Sequence, residues 1–269
     1  MTNLIEEVPR NSVCQRELFG YFGCALGFTW LIHFSISFLG IPFTMDISNP
    51  GMHLYLIGLA GPLVAAVTIT AVKTGKAGVR SLFAQGLKWR FPIRWYVFAI
   101  LTMPMLSLLN LLIFNDRIPE DFSWLVVQPL LIGGQLWVVL AEEFGWRGFA
   151  LPRLQSLYGS LGATLVLGPL WAIWHLPMFF IEGSPQYSEN VPAAFLMYTL
   201  IITCISILLT VVYNRTKGSV LACMLLHGFL NIAAFTIHVP PEINITMYLI
   251  IGVALLSIAL LDRPLFRRQ

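Results

Sequence analysis

A helical bundle that crosses a membrane about eight times is the fold class this 269-residue sequence predicts. Three observations predict it. Hydrophobic types make up 57% of the chain and charged types only 11%, whereas a soluble domain carries roughly 25% charged residues. The apolar residues gather into eight runs, each near the ~20 residues that a spanning helix needs. The basic residues fall on alternate loops between those runs. Backbone groups find no water inside a bilayer, and no ten-residue alternating pattern marks a barrel, so helices are the only spanning element left. The expected architecture is all-α, one integral membrane domain over residues 1–269 with mean hydropathy +0.78.

The first run covers roughly 17–43. Glu6 and Glu7 precede it, and it is too long for the core of a cleavable leader. Gly23-x-x-x-Gly27 within it offers a close helix approach. The second run covers roughly 53–72 and the third roughly 95–114. Between them, in 77–90, Val79, Leu82, Phe83 and Leu87 recur at helical spacing among basic residues. That pattern fits an interfacial amphipathic helix on an anionic inner leaflet, and equally a basic linker. The fourth run, roughly 124–146, contains Gly133-Gly134, a second candidate for close approach. The fifth, roughly 161–181, contains Pro169 and Pro177, which should bend it and strip backbone carbonyls of their partners. The sixth, seventh and eighth cover roughly 193–213, 220–238 and 245–261.

Orientation follows from lysine and arginine. Arg10 and Arg16, the six basic residues from Lys73 to Arg94, Arg147 and Arg153, Arg215 and Lys217, and Arg263, Arg267 and Arg268 fall on one side. Arg117 alone falls on the other, among Asp116, Glu120 and Asp121. Both termini are therefore expected in the cytoplasm, with the loop carrying Glu182 and Glu189 outside. A net charge of +3 gives no reason to expect a nucleic-acid partner; the bilayer is the expected one. Four cysteines without a C-x-x-C pair read as small apolar residues, not a disulfide or zinc framework.

Charged groups at membrane depth cost on the order of 2.5–3.5 kcal/mol each on insertion scales, so their presence points to function. Glu142 and Glu143 lie at the inner end of the fourth run with Arg147 one turn on. Glu143 and Arg147 share a helix face and can pair. Glu142 lies about 100° away and lacks that counter-ion, which makes it the better general base. An ion-pair cluster capping the span is the competing reading. Trp171 and His175 share a face in the fifth run, and His227 and Asn231 share one in the seventh. An imidazole and a carboxamide pointing one way can bind a developing oxyanion. Each pair alone also suits an inter-helix clamp, but three spans bring polar groups to the same half of the bundle. His33, His53 and His238 lack companions and read as packing or interfacial residues.

Glu142-Glu143-x-x-x-Arg147, Trp171-x-x-x-His175 and His227-x-x-x-Asn231 together resemble the motifs of the CAAX-protease and bacteriocin-processing family of intramembrane endopeptidases, similar to type II CAAX prenyl endopeptidases. The likeness covers roughly 120–240; Trp171 stands where phenylalanine is commoner. It implies a water-filled cavity open to the cytosol and a peptide or lipidated protein as substrate. It implies that Glu142 and His175 activate water, that His227 and Asn231 stabilise the oxyanion, and that Glu143 and Arg147 support Glu142. Trp146 and Trp171 are candidate walls of the substrate cavity. No cofactor is expected; the alternative is Zn2+ on Glu142, His175 and His227, although no H-E-x-x-H is present. A non-catalytic immunity or scaffold protein that binds a membrane peptide is the alternative function. A transporter is weaker, since no internal repeat is visible.

His175 lies deeper from the inner end of its run than His227 does from its own. Convergence requires the fifth helix to begin later than Leu161, or the helices to begin at different levels.

Overall fold

The computed structural model describes residues 10–46, 48–114, 129–236, 250–254 and 257. They form eight α-helices, though not one for each expected run, since the second run is broken into α2 and α3: α1 (Arg10–Phe38), α2 (Pro50–Gly58), α3 (Gly61–Ala84), α4 (Ile93–Phe114), α5 (Pro129–Glu143), α6 (Leu151–Trp174), α7 (Val191–Arg215) and α8 (Val220–Thr236). Among the described residues no strand occurs. A π-helical segment, Phe144–Ala150, joins α5 to α6, and short 3₁₀ turns follow α3 and α6. Three helical stretches are long and apolar enough to cross a membrane, and a fourth if α2 and α3, bent by 43°, count as one span. The eighth run lies mostly outside the described residues, where 250–254 and Ser257 are helical.

Two glycines turn the corners. Gly159 (φ 69°) and Gly75 (φ 64°) adopt left-handed φ, which a side chain disfavours. The corner at Gly159 divides α6 into a short leg, 151–158, and a long leg, 160–174, that returns through the bundle. The corner at Gly75 separates the spanning part of α3 from a helical ledge, 76–84, completed by the 3₁₀ turn Gln85–Leu87. The ledge coincides with the expected amphipathic segment, but its apolar face divides: Leu82 is buried in the protein, while Leu87 is exposed.

Pro177 has no amide to offer Ile173, and the Trp30 indole of α1 donates to the Ile173 carbonyl instead (3.2 Å). Pro169 is carried inside α6 without ending it.

The close approaches do not fall at Gly23, Gly27, Gly133 or Gly134, where an added Cβ would meet nothing within 4 Å. They fall at the break between α2 and α3 and at the π segment. A Cβ on Gly58 would strike His33, and one on Gly61 would strike Thr29. A Cβ on Gly145 would stand 2.5 Å from Pro62 Cβ and 2.6 Å from the Tyr21 hydroxyl. The helix break therefore seats directly on α1 and on the π segment. Thr29 of α1 ties the break to α6: its hydroxyl donates to Gly58 O (2.7 Å) and accepts from Trp174 Nε1 (2.7 Å).

Candidate functional site

The polar residues singled out by their motifs gather where α5, the π segment, α6 and α8 meet. Glu143 ends α5, and Arg147 lies one turn on, inside the π segment. Single π-turns recur at functional sites, because they rotate the side chains that follow out of α register. Arg147 Nη1 donates to Glu143 Oε1 at 2.8 Å, as the four-residue spacing predicts. His227 Nδ1 reaches the same oxygen, also at 2.8 Å. One carboxylate oxygen thus holds a guanidinium from its own helix and an imidazole from α8. Because a carboxylate only accepts, Nδ1 of His227 carries the proton and Nε2 is the nitrogen left for chemistry.

Glu142 has a different partner. Trp171 Nε1 donates to Glu142 Oε2 at 2.6 Å. Among the described residues no hydrogen bond or salt bridge joins Glu142 to a cation. The Arg147 guanidinium lies 4.3 Å over the Trp171 ring, so the indole stands between the two. The division of the carboxylates, Glu143 paired and Glu142 free, is the one the spacing predicts.

His175 closes α6, one turn beyond Trp171. Its Nδ1 bonds the Trp171 carbonyl (2.9 Å); a carbonyl accepts, so here too Nε2 is left free. The ring packs against Trp174 at 4.5 Å, Tyr198 at 5.1 Å and Trp171 at 6.0 Å. No hydrogen bond joins His175 to Glu142. Trp171 is the residue of α6 that meets Glu142, and His175 stands one turn further along the helix. The Trp171 indole spans the gap, lying 5.4 Å from the His227 ring.

Asn231 lies one turn beyond His227. Its Nδ2 donates to Gln135 Oε1 (2.9 Å), a residue of α5 that the sequence motifs do not contain. Gln135 lies two turns before Glu142 and on the face turned to α8; its seven-residue spacing was the available signal. Trp146 does not join the site. It is fully buried against Tyr21, Phe22 and Trp174, so it packs the interface of the π segment with α1. His33 is likewise a packing residue, stacked on Tyr55 and bonded to its carbonyl (2.9 Å). His53 is exposed, and His238 lies outside the described residues.

The side chains that the resemblance would place in an open cavity are closed off in this conformation. Glu143 and Arg147 are 0% exposed, Glu142 2%, His227 4% and His175 6%. Indole rings account for much of the closure, since Trp146, Trp171 and Trp174 are all buried. The zinc alternative would need Glu142, His175 and His227 together. Trp171 holds one oxygen of Glu142 and stands between the two imidazoles. Among the described residues no group of three His, Cys, Asp or Glu side chains is placed to hold a metal ion.

Comparison with known proteins agrees with the motifs. Residues 123–233 match the family model described as type II CAAX prenyl endopeptidase Rce1-like. Over 262 residues the chain is 24% identical to CAAX prenyl protease 2 of Methanococcus maripaludis, an alignment covering 91% of this chain and 94% of that protein. The similarity thus extends well beyond the motif-bearing region. It supports an integral membrane protein with intramembrane endopeptidase activity in general terms.

Proposed function

We propose that this chain, which carries an Rce1-like domain, hydrolyses a peptide bond of a membrane-associated substrate with water activated by Glu142 and His175. One observation carries the reading: a buried carboxylate without a bound cation lies beside a second carboxylate that holds Arg147 and His227. The first is free to move a proton; the second is committed to structure. Water bound to Glu142 Oε1 and His175 Nε2 gives its proton to Glu142 and attacks the carbonyl carbon. With Nδ1 held by Glu143, His227 turns Nε2 to the oxyanion, and Asn231 donates its second amide proton. As the C–N bond breaks, Glu142 returns the proton to the leaving amine. Glu143 and Arg147 keep His227 in place. No metal takes part in this scheme, and both termini face the cytosol. The bilayer and a peptide are the partners, with a prenylated C-terminal tail as the favoured substrate class; the relative's name supports that choice.

The test uses the purified full chain in liposomes. It is offered a farnesylated CAAX peptide and the same peptide without the lipid, each with and without EDTA. The expected result is release of the tail from the farnesylated peptide at a rate EDTA does not change. Failure to cut either peptide overturns the substrate class, and loss of turnover on chelation overturns the metal-free mechanism.

Trp171→Phe provides a finer test. It keeps a ring beneath Arg147 and removes the donor to Glu142. Hydrogen bonds to charged groups contribute about 1.5–3 kcal/mol. The variant should therefore lose about tenfold or more in kcat at nearly unchanged KM, and melt about 3 °C or more below the native protein.

A further inference from the structure

The ledge after Gly75 is more than a basic connection. Lys73, Lys76, Arg80, Lys88, Arg90 and Arg94 are all exposed on or beside it. No acidic residue occurs between Asp46 and Asp116, so this charge is not compensated along the chain. Large apolar side chains stand exposed among the cations: Leu87 at 77%, Trp89 at 60% and Ile93 at 75%. Arg90 lies 5.1 Å over the Trp89 ring. A tryptophan among cations and aliphatics, in the loop between the ledge and α4, fits the boundary between headgroups and acyl chains.

The inward face of the ledge braces the π segment. Gln85 Nε2 donates to Gly148 O (3.2 Å), and the Gln85 oxygen accepts from the Tyr213 hydroxyl (3.2 Å). Phe83 packs edge-on against Phe144 at 4.9 Å. A Cβ on Gly86 would stand 2.6 Å from Phe144, so the turn is seated on that ring. Phe144 follows Glu143 directly, and Gly148 follows Arg147. The ledge therefore touches the segment that carries the buried ion pair on one side and presents cations with an interfacial tryptophan on the other.

We propose that the ledge is a docking surface for anionic phospholipid headgroups of the surrounding leaflet, and that their binding steadies the π segment through Gln85 and Phe83. The acyl chains lie along Leu87, Trp89 and Ile93, and the phosphates sit among the six cations. The proposal is independent of peptidase activity, because both of its readouts can be taken without turnover.

The full chain is placed in nanodiscs of phosphatidylcholine alone or with phosphatidylglycerol. Co-purified lipid is counted by native mass spectrometry, and amide exchange is followed over 144–150. A basic residue near an anionic surface contributes about 1 kcal/mol, so each neutralised cation should lower phosphatidylglycerol retention roughly fivefold at most. The expected result is preferential retention of phosphatidylglycerol and slower exchange at 144–150 in its presence. Both effects should be lost in Lys76→Gln/Arg80→Gln and in the variant with all six cations changed to glutamine. Gln85→Ala should keep the lipid preference and lose the effect on exchange. Equal retention of both lipids by the native chain, or unchanged preference in the two charge variants, overturns the docking surface. Exchange at 144–150 that responds to phosphatidylglycerol equally in Gln85→Ala overturns the coupling through Gln85. Slowing by soluble glycerol phosphate in place of the lipid overturns the commitment to the membrane as the source.

Discussion

Glu142→Gln is expected to lower kcat/KM for peptide release by roughly 10³-fold, within the range that removal of a general acid–base group produces. The substitution is close to isosteric. The glutamine carbonyl oxygen can still accept from Trp171 Nε1, the bond that holds Glu142 Oε2 at 2.6 Å. No cation loses a bonded partner, because Arg147 and His227 are both held by Glu143. Folding should therefore survive: a buried group that costs desolvation when charged is replaced by a neutral one of the same shape. Peptide release followed by mass spectrometry, with thermal unfolding of the same preparation, reads both halves. Glu143→Gln is the comparison, since its predicted defect begins with stability. If Glu142→Gln retained turnover within about tenfold of the native protein, a loss too small for a missing general base, Glu142 would not be the base.

What the sequence made legible and what it hid divide along one physical line. Contacts between residues four apart on one helix depend only on helical geometry, and Glu143 with Arg147 is such a contact. The pairing of Trp171 with His175 is a second: the two share a face, and the imidazole bonds the carbonyl one turn back. Contacts between helices depend on rotation, depth and breaks, none of which a hydropathy pattern records. Hence Trp171 was legible as an aromatic shelf but not as the donor to Glu142. Hence also Gln135, absent from every motif, is the partner of Asn231. His227 was expected to face the oxyanion, but its Nδ1 is held by Glu143. The oxyanion role can therefore rest only on Nε2.

The glycines carry the same lesson. Gly23 with Gly27 has the spacing of a packing motif yet meets nothing, while Gly145, inside the catalytic-looking stretch, is seated against Pro62 of α3. A glycine pattern states that close approach is possible; only the partner helix decides whether it happens. The corners at Gly75 and Gly159 were hidden for a related reason. The second run ends at 72 and the fifth begins at 161, just short of each corner, so the runs mark the long legs while hydropathy says nothing of the turn that joins each to its short leg. The π segment was hidden as well, since a hydropathy pattern does not tell α from π register at the end of a span.

Arg147→Met is expected to cost about 3–5 kcal/mol of stability, the usual penalty for breaking a buried ion pair from one side. Methionine preserves most of the length and apolar contact of the arginine stem, so the loss reports on charge more than on volume. The guanidinium is fully buried, bonds Glu143 Oε1 at 2.8 Å and stacks 4.3 Å from the Trp171 ring. Without it, Glu143 keeps the bond to His227, and the indole that holds Glu142 loses the cation on its face. Glu143→Gln breaks the pair from the other side and should do at least as much harm, since it leaves Arg147 buried with no carboxylate bonded to it. The double variant Glu143→Gln/Arg147→Met removes both charges and should recover part of the loss, because no ion is then left buried without its partner. A cycle through the two single variants and the double, read as melting temperature by tryptophan fluorescence, isolates that coupling. At roughly 2–4 °C per kcal/mol for a chain near this size, the single variants should melt about 6 °C or more below the native protein. The coupling should persist at high salt, since counter-ions screen exposed pairs far more than enclosed ones. Additive single losses with no recovery in the double variant would show that Glu143 and Arg147 stabilise the bundle separately.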